Sequence, residues 1–316
     1  MQRRTFISSC LLAISSSACT QSNRRVIGVA PKGTSSIFWQ SVQAGVVAAG
    51  RDFDVEILWN GPPNETEYAR QIQIVEAMIN RGVDGIVLSP TQSTALVAVV
   101  ERAADLGIPV TIFDSGIDTE RYLSYVATNN HAAGGLGAET VAELLGGTGQ
   151  AAMVRHAPGS DSTDNRERGF QEKLQRDYPE IKIVAEQYCM SDRARALAVS
   201  ENMLNANPGL QAFFCSSEAA TIGAAQVVRT RGLVGKLRLV GFDASPTLQE
   251  DLQEGVIDAL VVQDPYQIGY VGVQTIVQHL NGEAPAKQIP MPARVVRAAD
   301  LADPEIQKLL NPVAGS

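Results

Sequence analysis

The chain has 316 residues, of which 45% are hydrophobic and 19% are charged. This is the composition of a globular protein, and the length suits two domains, so wholesale disorder and a single small core are excluded. The formal net charge of -8, with no basic stripe along the chain, argues against nucleic-acid binding. Four cysteines without a CxxC pair argue against a zinc ribbon or a dense disulfide scaffold.

The N-terminal residues have the pattern of an export signal. Arg3 and Arg4 precede an apolar run at 6–14, which is too short to span a bilayer as a helix. The arginine pair is similar to a twin-arginine leader. The segment Ser16-Ser17-Ala18-Cys19 resembles a lipobox, in which Cys19 becomes the lipidated first residue.

This pattern predicts a signal peptide over residues 1–18 and a short polar tether over 19–25. The expected location is the periplasm or cell envelope, with the protein anchored to the membrane by its N-terminal lipid. A plain secretory peptide, cleaved at another small residue, is the alternative.

After these segments, short apolar runs alternate with longer amphipathic stretches. The runs have the length and composition of buried parallel strands, and the stretches between them have a helical period. The predicted strands are 26–30, 55–59, 85–89 and 110–113, and the predicted helices are 38–51, 65–81 and 93–106. Repeated βαβ units of this kind predict a parallel sheet that is covered by helices on both faces.

The second half repeats this scheme. Its predicted strands are 151–155, 181–186, 212–215 and 237–242, and its predicted helices are 163–178, 192–205 and 218–231. The spacing of 30 residues from Asp84 to Asp114 is close to the 32 residues from Gln211 to Asp243. We therefore predict an α/β protein with two doubly wound parallel-sheet lobes of one architecture.

Ligands of open parallel sheets bind beyond the carboxyl ends of the strands, and Asp114 and Asp243 each follow a strand. Two facing lobes would direct both carboxylates into one cleft, which is typical of a small-molecule site. Phe38 and Trp39 offer an apolar wall for a sugar ring, whose hydroxyls need polar partners. Further polar candidates near strand ends or helix starts are Arg166, Glu218 and Gln263.

Structural explanations of the same residues stay open. Asp243 could cap the next helix, and Glu218 could be an acid of a first helical turn. Trp39 could belong to the core. One of the neighbouring Arg166 and Arg168 could be a solvated surface residue.

Catalytic motifs are missing from the sequence. It contains no GxSxG elbow, no GxxxxGK[ST] phosphate loop and no HExxH pair. The three histidines lie in different segments, and His156 follows a strand near the predicted cleft. Asp114 and Asp243 could form the carboxylate pair of a glycosidase, so this alternative stays open. We expect no catalysis, no cofactor and no metal.

Cys189 and Cys215 lie at the ends of predicted strands. In the usual doubly wound order the first strand of the lobe lies between these two strands, so we predict buried free thiols. The glycine-rich patches at 134–137 and 146–149 do not have the strand and spacing of a dinucleotide fingerprint.

Six further stretches form a recognisable set, although none is specific alone. They are Ile37-Phe38-Trp39, the segment from Gly82 to Pro90, Gly107 to Val110, Arg166 to Phe170, Val240 to Asp243, and Gln263 to Gly269. Together they resemble the type I periplasmic binding proteins that serve ABC sugar importers, in the branch of the ribose-binding protein. The resemblance extends from about Val26 to Leu301.

The resemblance implies roles for individual residues. Phe38 and Trp39 match the paired aromatics that stack on the sugar. Three positions depart from the family's pattern: Ser36 replaces an asparagine, Ser115 an arginine and Ser217 an asparagine. The full set of expected ligand-binding residues is Ser36, Phe38, Trp39, Asp114, Ser115, Arg166, Ser217, Glu218, Asp243 and Gln263, with the three departures at Ser36, Ser115 and Ser217.

The resemblance also implies how the lobes are connected, namely by a hinge of three crossovers. The expected crossovers lie at 127–130, 263–265 and 282–288. The expected N-terminal lobe is then 26–128 plus 265–283, the C-terminal lobe is 129–264 plus 284–301, and 302–316 is a tail.

The function implied is that of an extracytoplasmic binding component of an ABC importer, which captures a monosaccharide or related polyol as the hinge closes. The expected partners are this ligand and a membrane permease, with no nucleic acid, and the expected state is a monomer. One alternative is a receptor that delivers sugar to a chemoreceptor or sensor kinase, and another is a glycoside-processing enzyme. LacI-type repressors share the core, but they need an N-terminal helix-turn-helix where this chain has an export leader.

Overall fold

The computed structural model describes residues 24–311, which form two lobes, each built on a six-stranded sheet. Up to the first crossing between lobes, the elements are β1 (Val26–Ala30), α1 (Ile37–Asp52), β2 (Glu56–Trp59), α2 (Tyr68–Arg81), β3 (Gly85–Leu88), α3 (Val97–Asp105), β4 (Val110–Phe113) and β5 (Ser124–Thr128). Those that follow are α4 (Asn130–Leu145), β6 (Gly149–Arg155), α5 (Asp161–Asp177), β7 (Ile181–Tyr188), α6 (Arg193–Ala206), β8 (Ala212–Cys215), α7 (Glu218–Thr230), β9 (Arg238–Phe242), α8 (Pro246–Gln253), β10 (Ala259–Val262), α9 (Pro265–Leu280), β11 (Gln288–Met291), β12 (Arg294–Val296), a 3₁₀ turn (Ala298–Ala302) and α10 (Pro304–Leu310). The prediction of an α/β protein with two parallel-sheet lobes is confirmed.

The two sheets have equivalent strand orders. The first is β11-β5-β4-β3-β1-β2 and is parallel throughout. The second is β12-β10-β9-β8-β6-β7 and is parallel except for β12, which is antiparallel to β10. In each sheet the order of the chain reverses beside the first strand, β1 or β6, and such a reversal creates a ligand-binding crevice at the carboxyl ends.

Helices cover both faces of each sheet. In the first lobe, α1 and α9 pack on one face and α2 and α3 on the other, and the second lobe is arranged in the same way. Every residue of β3, β4, β8 and β10 is buried. A strand that is covered on both faces has no polar side to show, so its sequence is a continuous apolar run.

Helix α4 was not predicted, because glycines lower helix propensity. Its glycines instead serve close packing. A Cβ atom on Gly134 would lie 1.9 Å from the carbonyl oxygen of Arg166 in α5, and one on Gly137 would lie 2.4 Å from the Phe214 ring. The glycines therefore let α4 approach both α5 and the sheet.

The chain crosses between the lobes at residue 129, at 263–264 and at 292–293. The third crossing corrects the expected position at 282–288. It also corrects the assignment of 284–301 to the C-terminal lobe in its first part, whereas from β12 onward the chain does belong to that lobe. Strand β11 pairs in parallel with β5 and belongs to the first lobe. This pairing satisfies backbone groups that would otherwise be exposed at the sheet edge.

The expected tail at 302–316 also needs correction. Helix α10 lies within it and packs Ile306 and Leu310 into the core of the second lobe.

The predicted signal peptide and the lipid site at Cys19 lie outside the described residues. None of the helices within residues 24–311 combines the length and the apolar character that a membrane crossing requires. Cys189 and Cys215 are buried free thiols, as predicted.

Candidate functional site

The carboxyl ends of the central strands of both lobes meet at a cleft with a volume of about 480 Å³. Nine of the ten predicted site residues line it, namely Ser36, Phe38, Trp39, Asp114, Arg166, Ser217, Glu218, Asp243 and Gln263. Ser115 does not: it is buried beside the cleft, where its Oγ accepts a hydrogen bond of 3.1 Å from the Ser162 backbone. Ser115 was expected to bind the ligand, and this stays a prediction, although the residue is not among those that line the cleft.

Asp114 follows β4 and is buried at the floor of the cleft. Its Oδ2 atom lies 3.2 Å from Lys32 Nζ and accepts a hydrogen bond of 2.9 Å from Ser89 Oγ. The Lys32 ammonium also donates to Ser162 Oγ of the other lobe at 2.8 Å. Lys32 was not among the predicted residues, although its position directly after β1 places it at a strand end.

Asp243 occupies the equivalent place after β9 in the second lobe. Its Oδ1 accepts a hydrogen bond of 2.6 Å from Gln263 Nε2, and its Oδ2 accepts one of 3.2 Å from the Glu218 backbone. Thr128 in turn donates to Gln263 Oε1 at 2.7 Å. Burial raises the pKa of the Asp243 carboxyl, while the nearby Arg166 charge opposes this shift. Helix α8 is capped by Ser245, so Asp243 is not its N-cap.

Arg166 projects into the cleft from α5. Its guanidinium donates to Asn130 Oδ1 at 2.8 Å and to the Ser216 carbonyl at 3.0 Å, and it stacks 4.1 Å from the Phe242 ring centroid. These contacts fix the guanidinium plane at a buried position. Arg168 is exposed, so of the two neighbouring arginines only Arg166 reaches the cleft.

Phe38 and Trp39 both line the cleft and both pack into the apolar core of the first lobe. Trp39 is 2% exposed and packs edge-on against Phe38 and Phe113, so it belongs largely to the core. Its indole Nε1 donates to Glu65 Oε1 at 3.0 Å. Ser36 caps α1 by accepting from the Trp39 backbone, which holds both aromatic residues at the cleft.

Glu218 begins α7 and faces the first lobe. Its Oε1 accepts from Arg193 at 3.0 Å, and its Oε2 accepts from the Phe38 backbone at 3.3 Å. Burial, followed by the negative charge of Asp243, raises the pKa of Glu218 to about 7, against the lowering effect of Arg193. Glu218 lies in the first turn of a helix, as one explanation held, and it also lines the cleft, while its expected contact with the ligand stays a prediction.

Glu65 and His156 are lining residues that were not predicted as site residues. His156 directly follows β6 of the second lobe, and its Nε2 lies 3.6 Å from Oε2 of Glu65, which comes from the loop after β2. Burial, together with the Lys32 and Arg166 charges, lowers the pKa of His156 to about 3, so the imidazole is neutral. Burial raises the pKa of Glu65. No sequence signal marks Glu65, because its contacts depend on two distant segments.

The lobes are closed on the cleft. Besides the bonds of Lys32 and Glu218, the Gly116 backbone donates to Asp161 Oδ2 across the gap at 3.0 Å. The cleft thus offers carboxylates for hydroxyl donors, a fixed guanidinium for hydroxyl acceptors, and an apolar ring edge. Residues 24–311 contain no cluster of three or more His, Cys, Asp or Glu side chains suited to a metal ion.

Known proteins share this architecture. Residues 27–284 match the family described as "Periplasmic binding protein domain". A D-allose-binding periplasmic protein of Escherichia coli is 31% identical over 268 residues, which cover 82% of this chain and 85% of that protein. A ribose import binding protein of Bacillus subtilis is 26% identical, with 85% and 86% covered.

Solved structures agree with these matches. A carbohydrate transporter solute-binding protein from Agrobacterium radiobacter, in complex with D-arabinose, superposes with a TM-score of 0.89 and 31% identity, covering 92% of this chain and all of that one (100%). An ABC transporter solute-binding protein from Agrobacterium vitis with bound D-fucose has a TM-score of 0.87 and 35% identity, covering 90% and 99%. The two lobes, the interlobe cleft and these matches together establish that the chain belongs to the periplasmic binding protein family.

Proposed function

We propose that this chain is the extracytoplasmic solute-binding component of an ABC importer and captures a monosaccharide or a related polyol between its lobes. The observation that carries the proposal is the convergence of buried polar groups from both lobes on one cleft. Asp114, Arg166, Asp243 and Gln263 are all buried there and line the same cavity. Each is held by neighbours, so little side-chain entropy is lost when a ligand binds.

The charge balance supports a neutral, hydroxylated ligand. The carboxylate of Asp114 is paired with Lys32, and that of Glu218 with Arg193. The carboxylates of such pairs can still accept hydrogen bonds from hydroxyl groups, and the cations can still donate to them. An ionic ligand would instead upset the charge balance of the pairs. The relatives named for D-allose and ribose, and the neighbours holding D-arabinose and D-fucose, support the same ligand class.

We further propose that the protein binds its ligand without changing it. A glycosidase needs one carboxyl as an acid and a second as a base or nucleophile at the scissile bond. Here Asp114 is engaged by Lys32 and Ser89, and Asp243 by Gln263 and the Glu218 backbone. These contacts suit fixed hydrogen-bond acceptors better than groups that exchange protons with a substrate.

The first test is a thermal-shift screen of the mature protein against pentoses, hexoses, deoxysugars, inositols and nucleosides. A ligand at 100 times its dissociation constant adds about 2.7 kcal/mol to the free energy of unfolding, which gives a clear shift. A hit that is recovered chemically unchanged supports the binding function. A hit that is consumed favours the enzyme alternative, and a screen without any hit contradicts sugar binding.

We propose that the protein works as a monomer, exported and tethered by lipid on Cys19. Expression of the full chain in a bacterial host tests the tether by membrane fractionation. The wild-type protein should sediment with the membranes, and Cys19→Ala should move to the soluble fraction. Equal distribution of the two proteins would contradict the lipid tether.

A further inference from the structure

His156 has a buried atom that none of the interactions above employs. Its Nε2 has no hydrogen-bond partner within residues 24–311, and Oε2 of Glu65 lies 3.6 Å away. A polar atom that is buried without a partner is costly, so such atoms in binding sites are places where a ligand group is expected.

Both side chains are held in position by their other atoms. His156 Nδ1 lies 3.2 Å from Ser217 Oγ, and its backbone donates to Glu167 Oε1 at 2.9 Å. Glu65 Oε1 accepts from the Trp39 indole, and a Cβ atom on Gly33 would lie only 2.9 Å from Glu65 Cγ. The remaining atoms, Nε2 and Oε2, therefore face each other across the cleft.

The chemistry of this pair favours a hydroxyl group. A neutral imidazole has one donor and one acceptor nitrogen, and the Ser217 hydroxyl can bond to either form. A ligand hydroxyl can likewise accept from Nε2–H or donate to Nε2, and it can donate to the Glu65 carboxylate. An ammonium group would be repelled by Lys32 and Arg166, whose charges already oppose protonation of His156.

We propose that Glu65 and His156 together bind one hydroxyl group of the ligand and are specificity-determining residues of this cleft. The proposal rests on the sugar-binding function proposed above, and it adds a polar contact outside the matched motifs. Because the two residues come from opposite lobes, the hydroxyl group contacts both only when the cleft is closed. A ligand that carries this hydroxyl group therefore stabilises the closed state.

The experiment is isothermal titration of the mature protein with the tightest sugar from the screen and with each of its monodeoxy analogues. We expect one analogue to bind the wild type about 10- to 100-fold more weakly than the parent sugar, as for a lost hydrogen bond to a charged group. The penalty of an analogue is the factor by which it binds more weakly than the parent sugar to the same protein. In His156→Phe and Glu65→Gln, the penalty for that analogue should be several-fold smaller than in the wild type. The penalties at the other ring positions should stay the same, because only the deleted contact is coupled to the variants.

A matched control exists on the surface of the second lobe, where His131 Nε2 lies 2.8 Å from Glu172 Oε2. His131→Phe should leave every penalty unchanged. Glu65→Gln keeps an acceptor for Trp39, so it carries the test if His156→Phe does not fold. Unchanged penalties in both cleft variants would overturn the proposal, as would tighter binding of an amino analogue at the same ring position. A wild type that binds no sugar would overturn the proposed function as well.

Discussion

Asp114 and Asp243 directly follow equivalent strands of the two lobes, and both adopt the left-handed backbone conformation, with φ of 61° and 68°. Aspartate is among the few residues other than glycine that visit this region readily. In each lobe the turn of the chain places the carboxylate directly beyond the strand, inside the cleft. The two halves of the protein thus use the same backbone geometry to present a carboxylate to the ligand.

This geometry makes Asp243→Asn the cleanest variant of the site. Asparagine tolerates the left-handed conformation, so the melting temperature of the ligand-free protein should stay close to that of the wild type. Loss of the charged acceptor should weaken sugar binding by about 10- to 100-fold, measured by isothermal titration. Asp243→Ala should also lose stability, by about 1–2 kcal/mol, because alanine is strained at this backbone position. Wild-type affinity in Asp243→Asn would contradict the assignment of Asp243 to the site.

Removal of Lys32 should destabilise the protein. Lys32→Met leaves the Asp114 carboxylate buried without its cation and removes the bond to Ser162. Breaking a buried ion pair from one side costs about 3–5 kcal/mol, which urea denaturation can measure. The double variant Lys32→Met/Asp114→Asn should recover most of the lost stability, because the unpaired charge is gone. If the double variant is as unstable as the sum of the two single variants, the pair is not coupled.

Glu218 should make the stability of the ligand-free protein depend on pH. Its pKa is raised from 4.5 to about 7 in the folded state, so between these values the folded state binds more protons than the unfolded state. The free energy of unfolding should therefore fall as pH rises from 4.5 to 7, by about 3 kcal/mol from this group, and level off above pH 7. Urea denaturation of the wild type and Glu218→Gln at pH 5 and pH 8 isolates the effect. The difference between their free energies of unfolding should change between the two pH values. A constant difference would refute this contribution of Glu218.

Two neighbouring glycines of α4 give a paired test of helix packing. A Cβ atom on Gly134 would collide with the Arg166 carbonyl, whereas one on Gly135 meets nothing within 4 Å. Gly134→Ala should destabilise the protein by about 1–3 kcal/mol through overpacking and should weaken ligand binding, because Arg166 moves. Gly135→Ala should stabilise the helix by up to about 1 kcal/mol. Similar melting temperatures for the two variants would contradict the packing role of Gly134.

The sequence by itself determined four of the six strands in each sheet, namely β1–β4 and β6–β9. The runs at 26–30, 110–113 and 212–215 coincide with β1, β4 and β8 because strands buried on both faces must be continuously apolar. Parallel sheets align the carboxyl ends of their strands, so the strand pattern placed Asp114 and Asp243 each at the ligand-binding edge of its own sheet. That both carboxylates share one cleft followed only on the condition that the two lobes face each other. The internal strands β5 and β10 and the edge strands β11 and β12 were not predicted, and β11 is recognisable as a strand of the first lobe only through its pairing with β5.

Only the tertiary structure decided which side chains share an environment. Segments that are distant in the chain meet where Lys32 pairs with Asp114 and where Glu65 approaches His156. The burial of Trp39 likewise depends on the packing of the whole lobe. Local patterns report which face of an element is apolar, but they contain no information on distances between elements. The electrostatics of the cleft follow from those distances and from burial, and so became visible only when the two lobes were placed together.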